Sequence, residues 1–132
     1  MASDDYEGIR RALGMYSQLN DDGEFDRWGE LFTDDATFRY GDQVEVHGRQ
    51  AIKDFVSAAQ PPEARGRHVI MNEIIDVQSD TADVRADFIF FGPSEGPFLA
   101  IAANRYHDRL QRSGDGWLFS EVNISLFGSP SR

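Results

Sequence analysis

The hydrophobic positions in the first third of the chain recur with a helical period. Ile9, Leu13, Tyr16 and Asn20, with Ala12 and Leu19 beside them, share one face of a helix that begins near Asp4. Asp4 and Glu7 have the spacing of a capping box, with Asp in place of the usual Ser or Thr. Gly23 breaks the period. Phe25, Trp28, Leu31 and Phe32 then predict a second, short amphipathic helix that ends before Asp34 and Asp35. A short strand over 36–40, a turn at Gly41 and Asp42, and another short strand over 44–46 follow. Gly48 introduces a third helix whose apolar face is Ile52, Phe55, Val56 and Ala59, and Pro61 and Pro62 stop it.

Beyond Pro62 the period drops to two. Strands are predicted over 67–77, 81–91, 98–112 and 117–127, joined by turns at Ser79–Asp80 and 113–116 and by a Gly- and Pro-containing loop over 92–97. Short connections make these four an antiparallel meander. Only the two chain ends look frayed. Helices first and a sheet afterwards predict an α+β fold, with a curved antiparallel sheet wrapping three N-terminal helices as a cone with an open, apolar mouth. Residues 1–132 form one domain on this reading, since 132 residues is an ordinary domain length.

Composition narrows the chemistry. There is no cysteine, which removes disulfides, thiolate nucleophiles and Cys-held zinc or iron–sulfur centres. Thirteen basic against 23 acidic residues leave a net charge of −10, so nucleic acid and anionic membrane surfaces are not expected partners. No apolar run is long enough for a signal peptide or a membrane span, and a cytoplasmic location is the simplest expectation. Ten Phe suit a core and leave material for a pocket. Lys53 is the single lysine and sits on a helix, which makes Schiff-base chemistry an unpromising reading. His47, His68 and His107 are too scattered for a metal triad, and no phosphate-binding or dinucleotide motif is present, so neither metal nor cofactor is expected.

Two places remain where chemistry can sit. Tyr16 lies on the apolar face of the first helix, and Asp21 lies five residues on, turned by about 140° at the helix end. A carboxylate there gains nothing from the helix dipole. Spacing alone is equally met by a solvated turn made of Asp21, Asp22 and Asp26. His68 opens the first long strand, where alternation puts His68, Ile70, Asn72 and Ile74 on one face. Polar groups interleaved with isoleucines suggest a pocket wall, though a structural histidine bonded to backbone fits as well. Arg67, adjacent on the strand, is expected to face the other way.

The segments YSQLNDDGEFDRWGELFTDDATF, HGRQAIKDF, RHVIMN, NRYHDRLQR and DGWLFSEV, in this order, resemble the SnoaL-like group of the nuclear-transport-factor-2-like (NTF2-like, cystatin-like) superfamily over nearly the whole chain. The site pattern looks nearest to the bile-acid dehydratase branch and to scytalone dehydratase-type members. That resemblance implies that Tyr16, Asp21 and His68 meet in one pocket as the catalytic group. The chain departs from the family pattern at Val122 and Asn123, where Arg is frequent, and at Asn104, where Gly is frequent.

The expectation is a cofactor-independent lyase (dehydratase) or isomerase for a hydrophobic polycyclic, steroid-like or polyketide-like small molecule. In it, His68 is the base, Asp21 orients it, and Tyr16 donates to the developing oxyanion. Asn72, Phe88, Phe90 and Tyr106 are expected to hold substrate. Apolar residues on both faces of strands 67–77 and 98–110 suggest a homodimer through the outer sheet face. Two other classes stay open: a non-catalytic hydrophobic-ligand binding module, and a small structural subunit of a ring-hydroxylating oxygenase.

Overall fold

Every long strand predicted after Pro62 is present, and the two short ones before it join the same sheet. The computed structural model describes residues 2–127; the frayed ends expected at Met1 and at 128–132 lie outside the described residues. In order come α1 (Ala2–Asp21), α2 (Phe25–Gly29), β1 (Phe32–Tyr40), β2 (Val44–His47) and α3 (Arg49–Ala59). A single 3-10 turn (Pro62–Ala64) leads to β3 (Arg67–Gln78), β4 (Thr81–Gly92), β5 (Leu99–Ser113) and β6 (Gly116–Leu126).

The sheet has six strands in the order β2-β1-β6-β5-β4-β3. β3 to β6 are the expected meander, and β1 lies beside β6 in a parallel pairing. The sheet does not close, leaving β2 and β3 as its edges. α1 packs across the concave face against β3 and β6, and α3 covers β1 and β2.

Two local readings change. Leu31 and Phe32 were expected in the second helix, but α2 stops at Gly29 and β1 starts at Phe32. The reason is non-local: Phe119 N–H donates to Leu31 O at 2.8 Å, and Phe32 pairs with Phe119. Asp4 lies inside α1 rather than at its cap, because the helix already begins at Ala2.

The core sits at the narrow end of the cone. Trp28, Phe32, Phe119, Ile9, Ile52 and Leu110 are fully buried there, each such side chain contributing roughly 1.5–3 kcal/mol by leaving water. Tyr16 stands among them, with ring centroids of Trp28 at 5.4 Å and Phe119 at 5.3 Å. Gly66, just before β3, sits against the backbone of Phe91 and Gly92. A side chain at that position would collide with backbone, so the entry to β3 depends on its absence.

Candidate active site

Asp21 is the last residue of α1, and the helix end delivers it to the start of β3. Its Oδ2 accepts the backbone N–H of His68 at 2.9 Å, and its Oδ1 lies 2.6 Å from His68 Nδ1. The carboxylate is 7% exposed, so the solvated-turn alternative does not describe it. Asp22 is exposed, and so is Asp26, which pairs with Lys53 at the surface. Two hydrogen bonds, one to backbone and one to the ring, offset the cost of burying Asp21 against the helix dipole. With Nδ1 donating to a carboxylate, Nε2 is left as the free ring nitrogen. This is how an imidazole is held ready to take a proton.

His68 forms part of the wall of an apolar cavity of about 360 Å³ inside the cone. Asp21 is not in that wall; it stands behind the ring. Phe88 and Phe90 on β4 flank the imidazole, with ring centroids at 5.8 and 4.8 Å. Phe88 stacks on Tyr106 at 4.2 Å, and Tyr106 meets Tyr16 edge-on at 5.4 Å. The cavity therefore collects Tyr16, His68, Phe88, Phe90 and Tyr106 of the expected residues. Tyr40, Phe55 and Ile101, lining residues that are also exposed, mark its mouth. Among the described residues, no Lys, Arg, Asp or Glu lines it.

Asn72 is the correction. It was expected to share the inward face of His68, but it is exposed and donates to Asp87 Oδ2 at 3.1 Å. The cause is a break in the β3–β4 register between Met71 and Ile74, with Asn72 at φ 58°. One extra residue turns the strand over, so inward positions continue from Ile70 to Ile75 and Val77 instead of to Asn72. Arg67 is exposed, as expected.

Other polar residues of the interior were given no role from the sequence. Asn20 and Asn104 line the cavity at 5% and 4% exposure, and Asn20 Oδ1 has no hydrogen-bond partner. Asp108 is buried below Tyr106, its Oδ1 likewise without a partner. The signals existed: Asn20 falls on the apolar stripe of α1, and Asn104, Tyr106, Asp108 and Leu110 alternate along β5.

Burial pushes the Asp108 carboxyl well above the usual carboxylate range, and the Asn123 backbone beside it offsets this only in part. Burial, then the neighbouring Asp108, pushes the Tyr16 hydroxyl upward as well, and a hydrogen bond with Tyr106 opposes this. Tyr106 is raised too, chiefly by burial. Both tyrosines are thus held as neutral phenols, fitted to donate a hydrogen bond rather than carry charge. Among the described residues, no three His, Asp or Glu side chains converge as metal ligands would. No helix among them is long and apolar enough to cross a membrane.

The model of the SnoaL-like domain matches residues 1–123. The chain belongs to the SnoaL-like family. Solved structures agree with the SnoaL-like architecture. An NTF2-like protein with a cystatin-like fold from Novosphingobium aromaticivorans superposes with a TM-score of 0.87 at 23% identity, covering 98% of this chain and 87% of that one. A putative scytalone dehydratase from the same organism gives 0.82 at 22% identity, over 94% and 87% of the two chains. A protein of unknown function from Mycobacterium tuberculosis gives 0.86 at 21%, over 96% and 78%. At these identities the likeness is one of fold. No curated protein matches this SnoaL-like chain significantly.

Proposed function

We propose that this SnoaL-like protein is a cofactor-independent lyase or isomerase that works by acid–base chemistry on a neutral, hydrophobic ring compound. The observation that carries the reading is the double contact of Asp21 with His68 at the wall of an otherwise uncharged cavity. A site that only binds apolar ligands has no use for a buried carboxylate behind a histidine, which costs desolvation.

In the reaction, His68 Nε2 removes a proton from carbon beside a carbonyl. Its electron pair moves onto the carbonyl oxygen as an enolate. Asp21 holds the tautomer and stabilises the imidazolium that forms. Tyr16 donates to the enolate oxygen, or to a hydroxyl as it leaves, where the dry surroundings strengthen the bond. The imidazolium then returns a proton, either to the departing hydroxyl (elimination) or to another carbon (isomerisation). Phe88, Phe90 and Tyr106 hold the rings.

The cavity also limits size and charge. Since a dry cavity of about 150 Å³ accepts one benzene, the volume here suits about two to three fused rings. A larger ring system would extend through the mouth between Tyr40 and Ile101. An anionic group inside would find no countercharge. On the outer face, Val69, Ile89 and Ala103 form one apolar row across β3–β5, continued by the exposed Phe127, whose N–H donates to Ala103 O. A second copy docked there would make the homodimer, which needs about 1,200–2,000 Å² of total buried area.

The test is turnover on a panel of neutral bicyclic and tricyclic ketols with Asp21→Asn, His68→Ala, Tyr16→Phe and the Asp21→Asn/His68→Ala pair. Loss in Asp21→Asn, a smaller loss in Tyr16→Phe, and a double variant little worse than His68→Ala alone support the reading. Undiminished turnover in Asp21→Asn returns the cavity to the binding-module class.

A further inference from the structure

Asn104 is an amide set into the sheet wall of the cavity, and the strand register fixes where it stands. His68 on β3 pairs with Phe90 on β4, and Phe90 pairs with Ala102 on β5. Asn104 lies two residues further along β5, on the same inward face. With strands about 4.8 Å apart and residues about 3.3 Å apart, its backbone is about 12 Å from that of His68 along the wall. Its cross-strand neighbours are Phe88 on β4 and Leu126 on β6, and neither side chain offers a hydrogen bond. Along the strand it is flanked on the same face by Ala102 and Tyr106, and Tyr106 already hydrogen-bonds Tyr16. Buried polar groups are as a rule hydrogen-bonded. With an apolar flank on both neighbouring strands, the partner left for this amide is whatever fills the cavity. Asn20, the other amide of the cavity, stands on α1 next to Asp21 and so belongs to the His68 end.

We propose that Asn104 is a specificity-determining residue that binds a second oxygen of the substrate, two strands across the wall from the carbon at which His68 works. The inference rests on the reading above for the reacting end and adds the substrate class. That class is a neutral ketone of two or three rings with a hydroxyl or carbonyl on a ring other than the reacting one. An amide suits either oxygen, because it both donates and accepts. It is also uncharged, so it adds polarity to the wall without demanding a countercharge. A ring ketone that lacks the second oxygen leaves the amide dry and unpaired when it binds, and is disfavoured against one that has it. Asn104 has no proton to give and takes no part in the transfer between His68 and substrate.

The experiment measures binding of 1-tetralone and of its 5-, 6- and 7-hydroxy isomers at about pH 6, where a phenol is un-ionised. One isomer is expected to bind about tenfold tighter than 1-tetralone. In Asn104→Leu and in Asn104→Val that gain should shrink to within about twofold, while 1-tetralone binds at least as tightly as before. Retained binding of 1-tetralone also shows that the cavity has kept its shape. A third measurement needs no variant: in protein labelled with 15N-asparagine, the Asn104 side-chain amide should show NOEs to the hydroxyl-bearing ring of the bound isomer. The proposal is overturned if no isomer gains over 1-tetralone, if the gain survives either substitution, or if the amide shows no contact with that ring. None of these readouts uses turnover, so the activity of Asp21→Asn bears on the acid–base reading alone.

Discussion

The two faces of the sheet carry the same kind of contact under opposite conditions. On the outer face, Arg105 meets Asp87 at 2.7 Å and Arg109 meets Asp83 at 3.1 Å, as rungs between β4 and β5. On the inner face, His68 meets Asp21 at 2.6 Å. The Arg109 and Asp83 side chains are 55% and 44% exposed; those of His68 and Asp21 are 11% and 5%. Outer pairs are solvated, screened by salt and worth about 0–1 kcal/mol. The inner pair is dehydrated, so its net contribution to stability is doubtful on physical grounds while its electrostatic leverage is large. Similar distances therefore mean different things: outside, a solvated and screened rung; inside, a dehydrated pair of the kind the proposed reaction uses.

The largest way to break this contrast is Asp21→Asn. Turnover should fall by about 10²–10⁴-fold, as expected when the partner of a general base is lost. The fold should survive, because an amide oxygen still accepts the His68 backbone N–H, and a melting curve checks that. A second test concerns the other buried carboxyl. Asp108 binds its proton more tightly in the folded chain than in the unfolded one. Stability therefore declines as pH rises from the ordinary value of 3.8 toward the raised one. Asp108→Asn removes that decline. Its gain should be small below that range and reach about 1–3 kcal/mol near neutral pH, read by denaturant melts across pH. Gly14→Ala adds a methyl group to open space in mid-helix and should stabilise by about 0.5–1 kcal/mol, without changing turnover. Smallest of all, Arg109→Gln on the outer face should move stability by no more than about 0.5 kcal/mol, and less in high salt. A loss as large as that of an inner substitution would erase the distinction between the faces.

What was legible in the sequence follows from the range of the interactions involved. The period of Ile9, Leu13, Tyr16 and Asn20 and the later alternation are local, so α1, α3 and β3 to β6 could be placed before the structure. The boundary at Phe32 could not, since a residue 87 positions away decides it. Asn72 was misassigned because alternation assumes an unbroken pleat, and a single residue at positive φ ends that assumption. At the site, no local pattern separates a solvated Asp21 from a buried one; the difference lies in β3, 47 residues on. The resemblance to the SnoaL-like group supplied the grouping of Tyr16, Asp21 and His68 that spacing left open. Asp108 went unremarked because it sits among charged neighbours on β5, where only its parity marks it as inward.

The place of β6 in the sheet has a consequence for how the chain is made. It lies between β1 and β5, although it follows the other five strands of the sheet in the chain. The hairpin of β1 and β2 has no sheet to join until residues 116–126 have left the ribosome, and until then the edge of β5 stays open. Helices α1 and α3 can form early, but the wall they are meant to cover is incomplete. Long-range closure of this kind slows folding and exposes strand edges while it waits. A growing chain halted before Gly116 would hold two unjoined pieces of sheet, with Phe32 and Leu110 both lacking the Phe119 backbone they pair with in the finished protein.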